Sequence, residues 1–384
     1  MAASGAAGAN NESALPIPHV LHVADAGVVA RFGRMFRQLG LALSDEDVRV
    51  SLLTDDAEAA AELDGTPVAD RFFRPLRGWG VWRLHSYLRR QFDPPPEIVH
   101  LWGTTALGYL SDWTLECNAT LVIHVTSLGD VEQLKRRGVR GNEQLLAACD
   151  EYGELLRERW PTLADSVRVL KPALLLPEKV PGLAVRAKTL GLLWSGSLDK
   201  QCGLEVLIEA VAQLRAKKRD LHLGLIGRGP ATRAIWREIR RKGVQGCCSI
   251  VAEPNLWDQA TAGADMVVVP TCQYELSLAP LLAMALGKVV VTSRDQVADW
   301  FIEDETSLQF TPGSAAELAD HVARTARAHP NVLAVARGAS EYVRRHHAIT
   351  VLAAELAALY HTLRQAGGGA TAGEGVVLDS GEGH

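Results

Sequence analysis

Short, unbroken apolar runs recur along the chain, each closed by small or turn residues and followed by a stretch of helical period. His19–Ala24, Val48–Thr54, Ile98–Trp102, Leu121–Val125 and Val167–Leu170 are such runs. A strand without polar alternation is buried on both faces, and that occurs in parallel sheets covered by helices on either side. After Pro177–Lys188 (PEKVPGLAVRAK) the pattern restarts. Strands are predicted over Thr189–Gly196, Leu221–Ile226, Ser249–Val251, Met266–Pro270 and Val289–Thr292. Helices are predicted over Val29–Leu43, Leu204–Lys217, Leu278–Leu286, Ala315–Ala328 and Ile349–Ala366. Within Leu204–Lys217, Val206, Leu207, Ala210, Val211 and Leu214 recur at three or four residues, the spacing of one helix face. The fold class is therefore α/β, with two Rossmann-like domains whose parallel sheets face a cleft.

The domain boundaries follow from the same pattern. Residues 1–14 read as a disordered leader, 15–185 as the first domain and 186–345 as the second. A helix over 346–366 could cross back to the first domain, and the Gly-rich stretch 367–384 reads as a disordered tail.

Composition excludes several classes. The 384 residues are 47% hydrophobic and 22% charged, which excludes a disordered or collagen-like chain. A net charge of −5 argues against nucleic acid as a partner. The six cysteines form no C-x-x-C pair, so no zinc or thioredoxin-like site is legible and reduced thiols are expected. Neither a secretory signal nor an 18-residue apolar run is present, so the expected location is the cytoplasm.

Three segments of the second half carry chemistry. Trp194–Gly203 (WSGSLDKQCG) runs from a strand through small residues into a helix, a natural anion cradle. In Leu225–Pro230 (LIGRGP), Gly227 permits close approach of backbone to a ligand. Arg228 reads either as a phosphate-binding cation or as a solvated turn residue. In Val267–Gly287, Ser277 is a plausible N-cap ahead of Pro280, so that Ser277, Leu278 and Ala279 would offer free N–H groups to a diphosphate, or simply begin a structural helix.

Taken in order, GSLDKQCG at 196–203, GRGP at 227–230, ADMVVVPT at 264–271 and LLAMALG at 281–287 resemble the donor-binding domain of family-4 retaining glycosyltransferases, the glycosyl transferases group 1 of GT-B architecture. The resemblance is closest over residues 189–330 and looser over 18–185. It implies a nucleotide-sugar donor, an unidentified acceptor, retention of anomeric configuration and no cofactor or metal. Gly196, Gly203, Gly227 and Arg228 fall on donor-binding positions, and Gly27 on the acceptor-side loop. The family's active-site His aligns with Thr126, with His124 two residues earlier on the same strand face.

The departures concern the chemistry. Where the family carries an Arg and a Lys for the leaving diphosphate, this chain has Ser197 and Cys202, with Lys200 nearby as a substitute. The paired Glu positions fall on Tyr274 and Leu282. Glu275 recovers the first by a one-residue slip and nothing recovers the second. Each lost charge-assisted hydrogen bond is worth about 1.5–3 kcal/mol. Two functions follow: a hexosyl-type transferase using His124 or Thr126, Lys200 and Glu275, or a non-catalytic binding subunit of the same fold. A sugar-nucleotide epimerase would need acid/base carboxylates that the spacing does not reveal.

One further feature concerns the acceptor side. Arg71, Arg74, Arg77, Arg83, Arg89 and Arg90 are interleaved with aromatic residues, while Val81, Leu84, Leu88 and Phe92 recur at helical spacing. The apolar face is expected to pack. The Arg face is a solvated helix surface or a contact for an anionic membrane or phosphorylated acceptor.

Overall fold

The structure, a computed structural model, describes residues 17–55, 69–72, 81–141, 143–178, 180, 189–199, 203–252, 257–271, 276–367 and 377–378. The first lobe contains strands β1 (His19–Ala24), β2 (Arg49–Thr54), β3 (Ala69–Phe72), β4 (Ile98–Trp102), β5 (Thr120–Val125), β6 (Val139–Arg140), β7 (Glu143–Ala147) and β8 (Arg168–Val169). Its helices are α1 (Ala26–Asp45), α2 (Val81–Gln91), α3 (Leu107–Glu116), α4 (Leu128–Arg137) and α5 (Asp150–Arg159). The second lobe contains β9 (Leu190–Ser195), β10 (Leu221–Ile226), β11 (Cys248–Val251), β12 (Met266–Val269), β13 (Val289–Ser293) and β14 (Leu308–Phe310). Its helices are α6 (Leu204–Ala216), α7 (Thr232–Arg241), α8 (Trp257–Gly263), α9 (Ala279–Ala285), α10 (Ala315–Thr325) and α11 (Pro330–His346), and α12 (Ile349–Gly367) follows.

Two sheets form. The first has seven strands in the order β3-β2-β1-β4-β5-β7-β8, the second six in the order β11-β10-β9-β12-β13-β14. The strand pairs within both are parallel. The continuous apolar runs account for this, since β4 is buried at all five positions and β12 at all four. Outside these sheets, Val377–Leu378 (β15) pairs antiparallel with Leu378 opposite Val139 and Val377 opposite Arg140, within the stretch expected to be a tail.

The helices are set by capping and apolar spacing. Asp25 caps α1 through Oδ1, which accepts from the Val28 N–H at 2.8 Å. Such a cap is worth about 1 kcal/mol. The helix buries Phe32, Met35, Phe36, Leu39 and Leu43, each contributing about 1.5–3 kcal/mol. Helix α9 is buried at every position, which suits its all-apolar sequence, and it ends at Gly287 with φ +68°. In α2, Leu84 and Leu88 are buried while Arg83, Arg89 and Arg90 are exposed, so one face packs as its spacing requires. Arg74, Arg77 and the side chain of Arg71 lie outside the described residues.

After α11 the chain returns to the first lobe. His347 O accepts from Leu174 N at 2.9 Å, Ile349 N donates to Leu174 O at 2.8 Å, and His347 Nδ1 donates to Pro172 O at 2.7 Å. Helix α12 then packs on the first lobe. Its Leu352, Leu356, Leu359 and Tyr360 belong to one apolar cluster with the first-lobe core and the inward layer of the second lobe. Opposite, Leu192, Leu223, Val268 and Phe310 build a separate core on the outer face of the second sheet.

Candidate active site between the lobes

In open parallel sheets, ligands bind beyond the carboxyl ends of the strands, where the strand order reverses. Here the reversals lie between β1 and β4 and between β9 and β12. The relevant described segments are 25–27 and 103–106 in the first lobe, and 196–199, 270–271 and 276–278 in the second. Arg31 of α1 bridges them. Its Nη1 donates to Thr126 O and Leu276 O, both at 3.4 Å, and its Nη2 to Thr126 Oγ1 at 3.5 Å. The carboxyl edges of both sheets thus meet at one guanidinium.

On the first-lobe side the organising group is Asp130, a buried carboxylate in the first turn of α4. Its Oδ1 accepts from Thr104 N and Thr104 Oγ1, each at 2.8 Å. Its Oδ2 accepts from Thr126 N at 2.9 Å, Ser127 Oγ at 3.0 Å and Thr126 Oγ1 at 3.1 Å. One side chain therefore fixes the loop after β4 to the loop after β5. Gly103, with φ +85°, lies beside it, and a Cβ there would come 3.3 Å from Asp130 Oδ1. Asp25 and Asp55 tie the neighbouring loops, Asp55 Oδ1 accepting from Ala26 N at 2.8 Å. The sequence reading placed Gly27 in a turn, whereas it occupies the exposed first turn of α1.

Thr126 and His124 separate. Thr126 is buried at this edge in contact with Arg31. His124 does not reach the cleft. It is fully buried, stacked on Trp102 at 4.3 Å and on His100 at 5.4 Å between ring centroids. Its Nε2 lies 3.0 Å from Leu170 O and donates to it, and burial pushes its pKa down to about 4. The register explains the cluster: His22 pairs with His100 and Trp102 with His124, so all four share one sheet face. Tyr360 of α12 covers that face. Trp102 Nε1 can only donate, and does so to His22 Nδ1 at 3.0 Å, so His22 holds its proton on Nε2. That proton points to the Tyr360 hydroxyl at 3.2 Å, and the hydroxyl donates to His100 Nδ1 at 2.5 Å. Burial holds His22 down at about 3 and His100 well below the usual imidazole range. His124 thus belongs to the packing under α12, with Thr126 at the cleft edge.

On the second-lobe side the glycines serve the protein itself. Gly196 N donates to Ile226 O at 3.0 Å, Leu198 N to Arg228 O at 3.0 Å and Ala231 N to Leu198 O at 2.9 Å, which lays the two loops together. A Cβ on Gly227, whose φ is +155°, would lie 1.9 Å from Gly196 O. A Cβ on Gly229 would lie 2.1 Å from Leu198 O. The expected approach of backbone to ligand at Gly227 is an approach of backbone to backbone. Gly203 precedes α6 with φ +65°, and a Cβ there would meet Thr271 at 2.8 Å. Gly196 and Ser197 are exposed at the rim. Arg228 is exposed and its Nε donates to the Ala252 carbonyl, so it is held at the turn rather than extended.

Ser277 does not cap α9. The N-cap is Leu278, without a side-chain hydrogen bond, and Pro280 sits in the first turn. Ser277 Oγ is shielded from solvent and has no hydrogen-bond partner. Leu278, Ala279 and Leu282 are buried, Leu282 inside the apolar cluster, so its position offers no acceptor for a hydroxyl ligand. Lys200, Cys202, Tyr274 and Glu275 lie outside the described residues. Arg31 and Asp130 escaped the sequence reading. Asp130 had a signal in Ser127-x-x-Asp130, a helix-start pattern ahead of α4. Arg31 had none, since only the fold brings it to Leu276.

A further contact crosses between the lobes. Lys171 of the first lobe pairs with Asp299 of the second, and with Asp150 Oδ2 at 3.1 Å. Although burial opposes it, these carboxylates raise the Lys171 pKa. Among the described residues, no group of three or more His, Cys, Asp or Glu could hold a metal ion. Among them, too, no helix is long and apolar enough to cross a membrane.

Residues 189–327 match the family described as Glycosyl transferases group 1. No curated protein matches the chain by sequence. The solved structures it resembles include the Anabaena protein HepE in complex with UDP and glucose, 16% identical with a TM-score of 0.72, covering 89% of this chain and 99% of that one. Sucrose-phosphate synthase from Thermosynechococcus elongatus is 20% identical with a TM-score of 0.71, covering 91% and 100%. A glycosyltransferase from Rickettsia africae is 14% identical with a TM-score of 0.68, covering 90% and 98%. The two-lobed architecture is GT-B.

Proposed function

We propose that the protein transfers a glycosyl unit from a nucleotide-sugar donor to an acceptor in the cleft between the lobes. The observation that carries this reading is the convergence of both sheets' carboxyl edges at the Arg31–Leu276 contact. The family match over 189–327 supports it, as does the UDP and glucose bound to the Anabaena protein. In this reading the second lobe holds the nucleotide and the first the acceptor. The bond from the sugar's anomeric carbon to the diphosphate breaks, the acceptor oxygen joins that carbon with retention, and the nucleoside diphosphate leaves. Lys200 and Glu275 remain the proposed cation and carboxylate of the second lobe, and the exposed arginines of α2 are the proposed contact for an anionic membrane or a phosphorylated acceptor. Neither a metal nor a cofactor enters the proposal.

Isothermal titration with UDP, GDP, ADP and dTDP tests the reading. Micromolar to low-millimolar binding of at least one is expected, together with slow hydrolysis of the matching nucleotide sugar. Absence of heat from all four at millimolar concentration contradicts it. A second reading, binding without turnover, is favoured by one observation: Leu282 is a packed core residue where the family pattern has a carboxylate. It predicts binding with no hydrolysis, whereas turnover that disappears in Lys200→Ala excludes it.

A further inference from the structure

Among the described residues of the loop after β9, 196–199, there is no Lys or Arg. Ser197 stands exposed where the resemblance leads one to expect an arginine, and Arg228 is turned onto the Ala252 carbonyl. A diphosphate leaving group nevertheless needs cations at hydrogen-bond distance as its charge develops. The described residue that brings one to the meeting point of the two sheets belongs to the other lobe. Arg31 lies one turn inside α1, and its Nε donates to Gly27 O at 3.2 Å, which folds the side chain back towards the helix start and the cleft. Its guanidinium then reaches across to Leu276 O, one residue before Ser277.

We propose that Arg31 binds the diphosphate of the donor, so that the first lobe supplies a cation in addition to the one proposed at Lys200. The proposal rests on the reading of the cleft as a nucleotide-sugar site. The chemistry favours the exchange. Three of the Arg31 contacts, to Leu276 O and to Thr126, are 3.4–3.5 Å long, at the weak end of hydrogen bonding. A phosphate replaces the contact to Leu276 O with short, charge-assisted bonds that suit a planar guanidinium. Ser277 Oγ, shielded and without a hydrogen-bond partner beside the same carbonyl, has a proton to give to an oxygen placed there. Thr126, held by Asp130, fixes the other side of the guanidinium. Because Arg31 and Leu276 belong to different lobes, donor affinity is coupled to how closely the lobes approach.

The test is calorimetric, on the full chain, with whichever of UDP, GDP, ADP and dTDP the wild type binds and with the corresponding nucleoside. Arg31→Ala is expected to weaken diphosphate binding about tenfold to a hundredfold, the worth of one charge-assisted bond, and to change nucleoside binding less than twofold. Arg31→Gln, which keeps a polar N–H donor but is shorter and loses the charge, is expected to fold with an unchanged thermal midpoint and show the same selective loss. Arg31→Lys should fall between. Diphosphate affinity within twofold of wild type in Arg31→Gln overturns the proposal and leaves the cleft reading standing. Equal loss for nucleoside and diphosphate also overturns it, in favour of a packing role. A wild type that binds none of the four diphosphates removes the cleft reading and the proposal together.

Discussion

At the scale of single residues, buried Asp130 accepts five hydrogen bonds from two loops and the start of α4. Replacing it with Ala strands those donors in a site with little water, and each stranded donor costs on the order of 1 kcal/mol or more. Asp130→Ala is expected to lower stability by about 3 kcal/mol, read as a shift of the urea midpoint. A change under about 0.5 kcal/mol, the usual range for an unremarkable surface position, would show that the loops hold without it. The glycines make a graded series. Gly227→Ala and Gly229→Ala drive a Cβ into backbone carbonyls at 1.9 and 2.1 Å, so each should cost about 3 kcal/mol or prevent folding. Gly243 has φ +70° but open space around it, and Gly243→Ala should cost only about 1 kcal/mol. Equal effects at all three would contradict the loop-on-loop packing.

At the scale of elements, α12 is fastened to the first sheet by Tyr360, whose hydroxyl joins His22 to His100. Tyr360→Phe keeps the ring and leaves a buried imidazole N–H and a ring nitrogen unpaired. A loss of about 2 kcal/mol is expected by chemical denaturation, and a neutral result would show that water fills the gap. The elements most legible in the sequence were those buried on both faces, because their apolar runs need no partner to be recognised. Strand β7 was missed because Glu143 opens it, and that charge is tolerated through its ion pair with Arg137 at 2.7 Å and a hydrogen bond from Arg140 N at 2.9 Å. Helix α11 was missed although Pro330 marks its first turn. The site was less legible still. Alternation put His124 and Thr126 on one strand face, but nothing local says that α12 covers the first and leaves the second at the cleft edge. Ser277 had the chemistry of a cap, yet the helix starts one residue later.

For the whole molecule, the lobes share one apolar cluster and are pinned by the Lys171–Asp299 pair and by α12. Four buried imidazoles sit in this shared interior. Burial lowers His22 to about 3, His124 to about 4 and His347 to about 4, with His100 also held well down, from an ordinary value of 6.5. A depressed imidazole takes up its proton in the unfolded chain first. Its stabilising contribution is therefore complete above pH 6.5 and is lost as the pH falls towards 4 and below. Each group contributes about 1.4 kcal/mol per pH unit inside that window. The urea midpoint should be flat between pH 7 and 8 and fall steeply below pH 6. A midpoint unchanged from pH 7 to pH 5 would mean that these rings are not buried neutral. The claim on which the functional account stands is that the cleft between the lobes receives a nucleotide. Hydrogen–deuterium exchange with and without a saturating nucleoside diphosphate tests it most directly. The account predicts slowed exchange in 26–31 of the first lobe together with 196–199 and 276–279 of the second, whereas no protection, or protection confined to the outer face of one lobe, would contradict it.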